Sequence, residues 1–230
     1  MAGSPLALLR AQLLVYLATT SDDPLYTPAV LNQLLRDVHH GLIDEIHKTN
    51  RSYLTKEVLL TPDASSQPAW ATQPLETYTF ATQDPAITDF AYWSELRKTN
   101  EDGDLMQECR QEELRDAGNG YFCVLGTDDA PVIRVSKDTE VGLNLYLKYG
   151  YWPADLVLDT DTPGGIPVQF QDVLPLEACF GFGLGGESEF PADLKQRWID
   201  RKAALIAHVS KRGVQVSRTR VNPFDIEDFA

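Results

Sequence analysis

Residues 159–184 read DTDTPGGIPVQFQDVLPLEACFGFGL, and this stretch restricts the fold of the chain more than any other. Asp159 to Pro167 combine two acids with Pro163, Gly164, Gly165 and Pro167, residue types that punctuate regular structure and make turns. Phe170, Val173, Leu174, Leu176, Ala178 and Phe180 then make the sequence apolar. A polar elbow that feeds a buried segment is a hinge between two parts of a protein. Ahead of it the chain is patterned like strands, and beyond it like a helix and a tail.

The helical signals lie at the two ends. Ser4-Pro5 reads as an N-cap with proline at the first helical position, which predicts a helix over 5–17. Thr27-Pro28 repeats the signal. From Pro28 to Lys48 the apolar residues Leu31, Leu35, Val38, Leu42 and Ile46 recur at steps of four, three, four and four, one face of a helix. After the elbow, a helix is expected over 168–181. Pro175 in its middle would remove a hydrogen bond and kink it. Pro191 opens a last helix to about Arg212, with Leu194, Trp198, Leu205 and Val209 as its inner face, expected to pack against the Leu31–Leu42 face.

Residues 53–158 differ. Leu143, Leu145, Leu147 and Tyr149 alternate with polar or exposed-type residues, a strand with one buried face. Residues 53–60, 87–96, 120–125 and 131–135 are further strand candidates. A short helical turn is expected over 111–116, and a turn at Asn119-Gly120. The strands follow one another without ten-residue helices between them, which favours antiparallel pairing. The expected fold is therefore α+β: an antiparallel helical bundle with an inserted antiparallel β subdomain and an extended C-terminal arm. Its parts are residues 1–50 (N-terminal helices), 51–158 (β insert), 159–212 (C-terminal helices) and 213–230 (arm).

The formal net charge of −14 argues against a chain that grips nucleic-acid phosphates. Residues 201–220 depart from that average. They hold Arg201, Lys202, Lys211, Arg212, Arg218 and Arg220 and no acid, so the rest of the chain carries −20. Such asymmetry marks an interaction tail, and Arg218 and Arg220 lie beyond Gly213, where the helix is expected to have ended. No apolar run reaches 18 residues, so no membrane span is expected. The N-terminal apolar segment, interrupted by Arg10, reads as an amphipathic helix rather than a secretory leader. Three cysteines, Cys109, Cys123 and Cys179, lack CxxC spacing and read as reduced thiols of a cytosolic compartment.

Catalytic signals are weak. Gly181 to Gly186 matches GxGxxG, but Glu187 and Glu189 follow where a dinucleotide's phosphates would need a helix N-terminus. Nucleotide binding at this loop is the alternative enzymatic reading, and a monomeric binding module is another. Asp159-Thr160-Asp161 lacks the residues that a phosphatase nucleophile loop or a calcium loop needs. His39, His40 and His47 contain no i, i+4 pair and no HExxH. No catalytic residue, metal or cofactor is expected.

Read in order, the elements acquire a likeness. Leu25-Tyr26-Thr27-Pro28 opens the second helix. Ile87-Thr88-Asp89-Phe90-Ala91-Tyr92-Trp93 and Glu112-Glu113-Leu114-Arg115 follow. Pro131-Val132-Ile133-Arg134-Val135 then leads to 143–149, to Asp159-Thr160-Asp161-Thr162, and to 166–174. Over residues 5–212 this sequence of motifs resembles the head-to-tail adaptor (connector, head completion) proteins of tailed bacteriophages. The resemblance implies a structural, non-enzymatic virion protein, assembled in the host cytoplasm. It would form a homo-oligomeric ring, commonly of twelve copies, at the head-tail junction under the portal protein. The ring would extend the channel for double-stranded DNA, without reading its sequence, and offer a platform to tail, tail-terminator or nozzle proteins. A C-terminal arm is implied to bind the portal, here through Arg212, Val214, Val216, Arg218, Arg220, Phe224 and Phe229. An acidic ring suits this role, because it repels passing phosphates.

Overall fold

A computed structural model describes residues 3–18, 24–63, 76–99, 104–114, 116–127, 131–136, 142–180 and 192–218, with side chains of the last segment as far as residue 211. The fold is mixed α+β, with two sheets and with helices on either side of them in the chain. It divides into two compact units, residues 1–53 with 153–230, and residues 54–152.

The first unit is helical. It contains α1 (Leu6–Tyr16), α2 (Pro28–Thr49), α3 (Val173–Phe180) and α4 (Ala192–Arg218). α2 follows from its sequence: Thr27 in extended backbone caps it, its Oγ1 accepting from Val30 N at 3.4 Å, and Pro28 takes the first helical position. Leu31, Leu35, Val38, Leu42 and Ile46 are all buried, as their spacing requires. Full burial of one such side chain contributes about 1.5–3 kcal/mol. The same core takes Leu6, Leu9 and Leu13 of α1, Val173, Leu174, Leu176 and Cys179 of α3, and Leu205 and Val209 of α4. Contacts join α1 to α2 and α3, α2 to α3 and α4, and α3 to α4. Asn50 ends α2 and ties it to α4, its Nδ2 donating to Val209 O at 2.8 Å.

Three expectations need correction in this unit. Proline 5 sits at the N-cap of α1 and not inside it, and no side chain caps that helix. Instead, Leu6 and Ala7 donate their N–H groups to the carbonyls of Asp161 (2.8 Å) and Asp159 (3.1 Å), so the elbow itself satisfies these orphan donors. The helix after the elbow starts late: residues 168–170 form one 3-10 turn and α3 begins only at Val173. Pro175 therefore stands in the first turn, where its missing N–H removes no helical bond. Finally, α4 does not stop at Arg212 but runs through Gly213 to Arg218. One glycine costs about 1 kcal/mol relative to alanine in a helix, too little to end a helix whose preceding turns are held by Leu205, Val209 and the Asn50 bond.

The second unit is built from two sheets. Strands β1 (Thr55–Leu60), β2 (Thr77–Thr79), β3 (Phe90–Lys98), β4 (Gln107–Glu108), β5 (Tyr121–Leu125), β6 (Val132–Val135) and β7 (Leu145–Tyr151) form a three-stranded sheet in the order β1-β7-β3 and a four-stranded sheet in the order β2-β6-β5-β4. All pairs are antiparallel except β4 with β5, which is parallel, a departure from the uniformly antiparallel expectation. Alternation places Leu145, Leu147 and Tyr149 of β7 in one core with Leu60, Tyr78, Phe80, Leu96, Phe122, Ile133 and Val135. On the opposite face of β7, Gly150 lies under the Tyr92 ring; a Cβ there would come within 2.3 Å of Tyr92 Cζ. β3 carries two register shifts, between Phe90 and Tyr92 and between Trp93 and Glu95.

Candidate interaction surfaces

The elbow is a folded element with its own polar interior. Asp161 Oδ2 accepts from Val157 N (2.8 Å) and Leu158 N (2.7 Å). Asp159 meets Arg10 in a two-pronged pair at 2.8 and 3.2 Å, and that hydrogen bond holds the Asp159 carboxyl below its usual range. Arg36 donates Nε and Nη2 to Leu156 O, at 3.3 and 3.2 Å. Gln171, 3% exposed, is the centre of the elbow. Its Oε1 accepts from Ser4 N at 2.6 Å, and its Nε2 donates to Pro163 O (3.2 Å) and Ile166 O (3.4 Å). The two aspartates are thus hydrogen-bond anchors of the turn.

The histidines are likewise structural. His39, 1% exposed, bonds through Nε2 to Gly164 O at 2.8 Å, while Nδ1 is buried without a partner. Burial lowers the pKa of His39 against the opposing effect of the Gly164 bond. His40 Nε2 lies 2.7 Å from Asp155 Oδ1 on the surface. Among the described residues, no group of three or more His, Cys, Asp or Glu could hold a metal ion. The Gly181–Gly186 loop lies outside the described residues.

The basic stretch divides into parts with different roles. Arg201 Nε bonds both carboxylate oxygens of Asp172, at 3.1 and 3.0 Å, and Arg197 joins the same carboxylate at 3.2 Å. Lys202 sits between Glu45 (3.0 Å) and Glu177 (3.1 Å). Burial works to lower its pKa, but those two hydrogen bonds outweigh it and leave it raised. Arg201 and Lys202 therefore hold α4 against the rest of the helical unit. Leu205 and Val209 are fully buried as expected, whereas Leu194 and Trp198 are only half-buried. Trp198 stacks on Phe180 with centroids 5.6 Å apart and donates Nε1 to Glu177 Oε2 at 2.7 Å. Lys211 is exposed on α4. Of the residues expected in the arm, Arg212, Val214, Val216 and Arg218 are helical, which corrects the expectation of an extended segment starting at Gly213. Arg220, Phe224 and Phe229 lie outside the described residues.

One apolar surface was not anticipated. α1 has Arg10 as its only charged residue, and apolar side chains point from both of its faces. Leu6, Leu9 and Leu13 go inward, while Leu8 (47% exposed) and Val15 (74%) remain in solvent, so the helix is less amphipathic than expected. Beside Leu8, Ala7 bonds to Asp159, which follows the exposed pair Val157 and Leu158 in the chain. Exposed apolar side chains gathered on one part of a surface mark interaction sites, which makes this edge a candidate contact surface. Its sequence signal was present, in that Arg10 is the only charge in the run.

No helix among the described residues is long and apolar enough to cross a membrane. No protein-family model matches the chain, and no curated protein matches it.

Proposed function

We propose that this protein is a structural component of a tailed-bacteriophage head-to-tail junction: an adaptor whose copies form a ring under the portal, continue the DNA channel and receive the tail. In this reading the helical unit is a bundle that builds the ring, the β unit is an insert facing neighbouring copies or tail proteins, and the C-terminal segment reaches the portal. The observation that carries it is the order of elements. Helices from both ends of the chain share one core, and a separate two-sheet unit is looped out between α2 and the elbow. The uncovered apolar edge at Leu8, Val15, Val157 and Leu158 supplies a surface for a neighbouring copy, and the net charge of −14 suits a channel that does not hold DNA.

The test is reconstitution with the cognate portal protein that this reading requires. A ring of subunits seated on the portal, seen by electron microscopy and by sedimentation, is the expected result. Persistent monomer in the presence of portal refutes the reading. Because α4 includes residues 213–218, two truncations divide the C-terminal segment. Of the residues assigned to the arm, removal of 219–230 deletes Arg220, Phe224 and Phe229. Removal of 213–230 also deletes the end of the helix. Each is expected to weaken portal binding about tenfold or more, the ~1.4 kcal/mol of one modest anchor, and to reduce its salt dependence.

A further inference from the structure

Cys109 and Cys123 are fourteen positions apart in sequence, yet the parallel pairing of β4 with β5 sets them side by side. Gln107 is opposite Tyr121 and Glu108 is opposite Phe122. The hydrogen bonds carry that register one step further. Gln107 N donates to Gly120 O at 2.9 Å, and Cys109 N donates to Phe122 O at 2.8 Å, the same relation two residues on. Cys109 is therefore opposite Cys123. Paired residues on neighbouring strands have side chains on the same face, with the strands about 4.8 Å apart. That separation falls inside the roughly 4.4–6.8 Å between Cα atoms that a disulfide spans. Both thiols are free, and both line an open cleft of about 520 Å³ with Glu108, Arg110, Glu112 and Glu113. On the far side of Cys123, in the same row, stands Arg134 of β6, whose Nε is buried without a partner.

We infer that Cys109 and Cys123 form a dithiol site that closes to an intrachain disulfide by exchange with a low-molecular-weight disulfide. The step balances without any other reactant. Cys109, half-exposed beside the cleft, loses its proton and attacks one sulfur of the small disulfide. This forms a mixed disulfide and releases one thiolate. Cys123, deprotonated in turn, attacks the Cys109 sulfur and releases the second thiolate. The protein loses two hydrogens, and the small disulfide becomes two thiols. Closure would fasten the two-residue strand β4, and the turn over 111–114 that follows it, to β5. Burial first, and then Glu113 and Glu108, raise the pKa of Cys109. Burial, and then Cys109 itself, raise that of Cys123 although Arg134 opposes them. Exchange is therefore slow at neutral pH and faster in alkaline solution. Cys179, fully buried with its thiol pushed up to about 12, is the internal control.

The experiment uses the full chain, reduced and then incubated with oxidised glutathione at neutral and at alkaline pH. The expected product is a monomer lighter by two hydrogens. Its free thiols fall from three to one, and one proteolytic fragment links Cys109 to Cys123. Hydrogen exchange at the Cys109 amide slows about tenfold or more. In Cys109→Ser and Cys123→Ser, the linked fragment is absent and any product keeps a glutathione adduct. No closure at either pH, a glutathione adduct on the wild-type chain that never resolves, or a link through Cys179 or between two chains overturns the inference. The outcome is independent of portal binding, so it stands or falls separately from the proposed function.

Discussion

Replacing Gln171 by glutamate tests whether the elbow's buried amide holds the helical unit together. The substitution leaves the side chain's shape unchanged, so no cavity confuses the result. Oε1 would still accept from Ser4 N. The two Nε2 donor bonds, to Pro163 O and Ile166 O, become contacts between a carboxylate and two carbonyl oxygens. Leaving a buried acceptor unsatisfied costs about 1–3 kcal/mol, so two of them cost roughly 2–6 kcal/mol, with burial of the new charge added at neutral pH. Helical circular dichroism reports on this unit, because the α-helices of the described residues all belong to it. In urea, the midpoint of that signal at pH 7 is expected to fall with little change in slope, and Tm is expected to drop by roughly 10 °C or more. The introduced carboxyl would have a raised pKa in the folded state. The deficit relative to the wild type should therefore shrink as pH falls through that raised value towards about 4.3, the ordinary glutamate value. A loss below about 1 kcal/mol at pH 7, or a deficit independent of pH, would refute the role assigned to Gln171.

Other consequences are equally direct. His39 is held neutral by burial, so its folded pKa lies below the ordinary value of 6.5. Above 6.5 it adds no pH dependence; below 6.5 the unfolded chain binds the proton first and stability falls. His39→Gln is expected to flatten that slope between pH 6.5 and 5 in urea titrations. Leu205→Ala, at a fully buried site, should cost about 2–5 kcal/mol, whereas Leu8→Ser on the exposed edge should stay within about 0.5 kcal/mol while reducing ring assembly on the portal. Gly150→Ala forces the Tyr92 ring aside and should cost about 1–3 kcal/mol. In a Tyr92→Ala background most of that cost should vanish, giving a coupling above about 0.5 kcal/mol in a double-mutant cycle.

Local periodicity determined much of this protein without reference to the fold. The steps from Leu31 to Ile46, together with Thr27-Pro28, specify α2 because a 3.6-residue repeat records burial on one helical face. The alternation through Leu145, Leu147 and Tyr149 does the same for a strand. The α+β class follows from those two periods occupying different parts of the chain. The sequence also shows where the charge asymmetry lies. It does not show that Arg201 and Lys202 are committed to Asp172, Glu45 and Glu177, because those partners are distant in the chain.

Tertiary structure decided the rest, for one physical reason: a polar group's partner can come from anywhere in the chain, and local pattern is silent about distance. The N-terminus of α1 takes its cap from carbonyls of Asp159 and Asp161. Gln171 looks like an ordinary polar residue of the elbow until Ser4 folds onto it. Pro175 is harmless because the preceding turn delays the start of α3. Gly213 leaves α4 uninterrupted because its penalty is smaller than the packing that precedes it. Cys109 and Cys123 have no spacing that marks them as a pair; only the parallel register of two short strands brings them together.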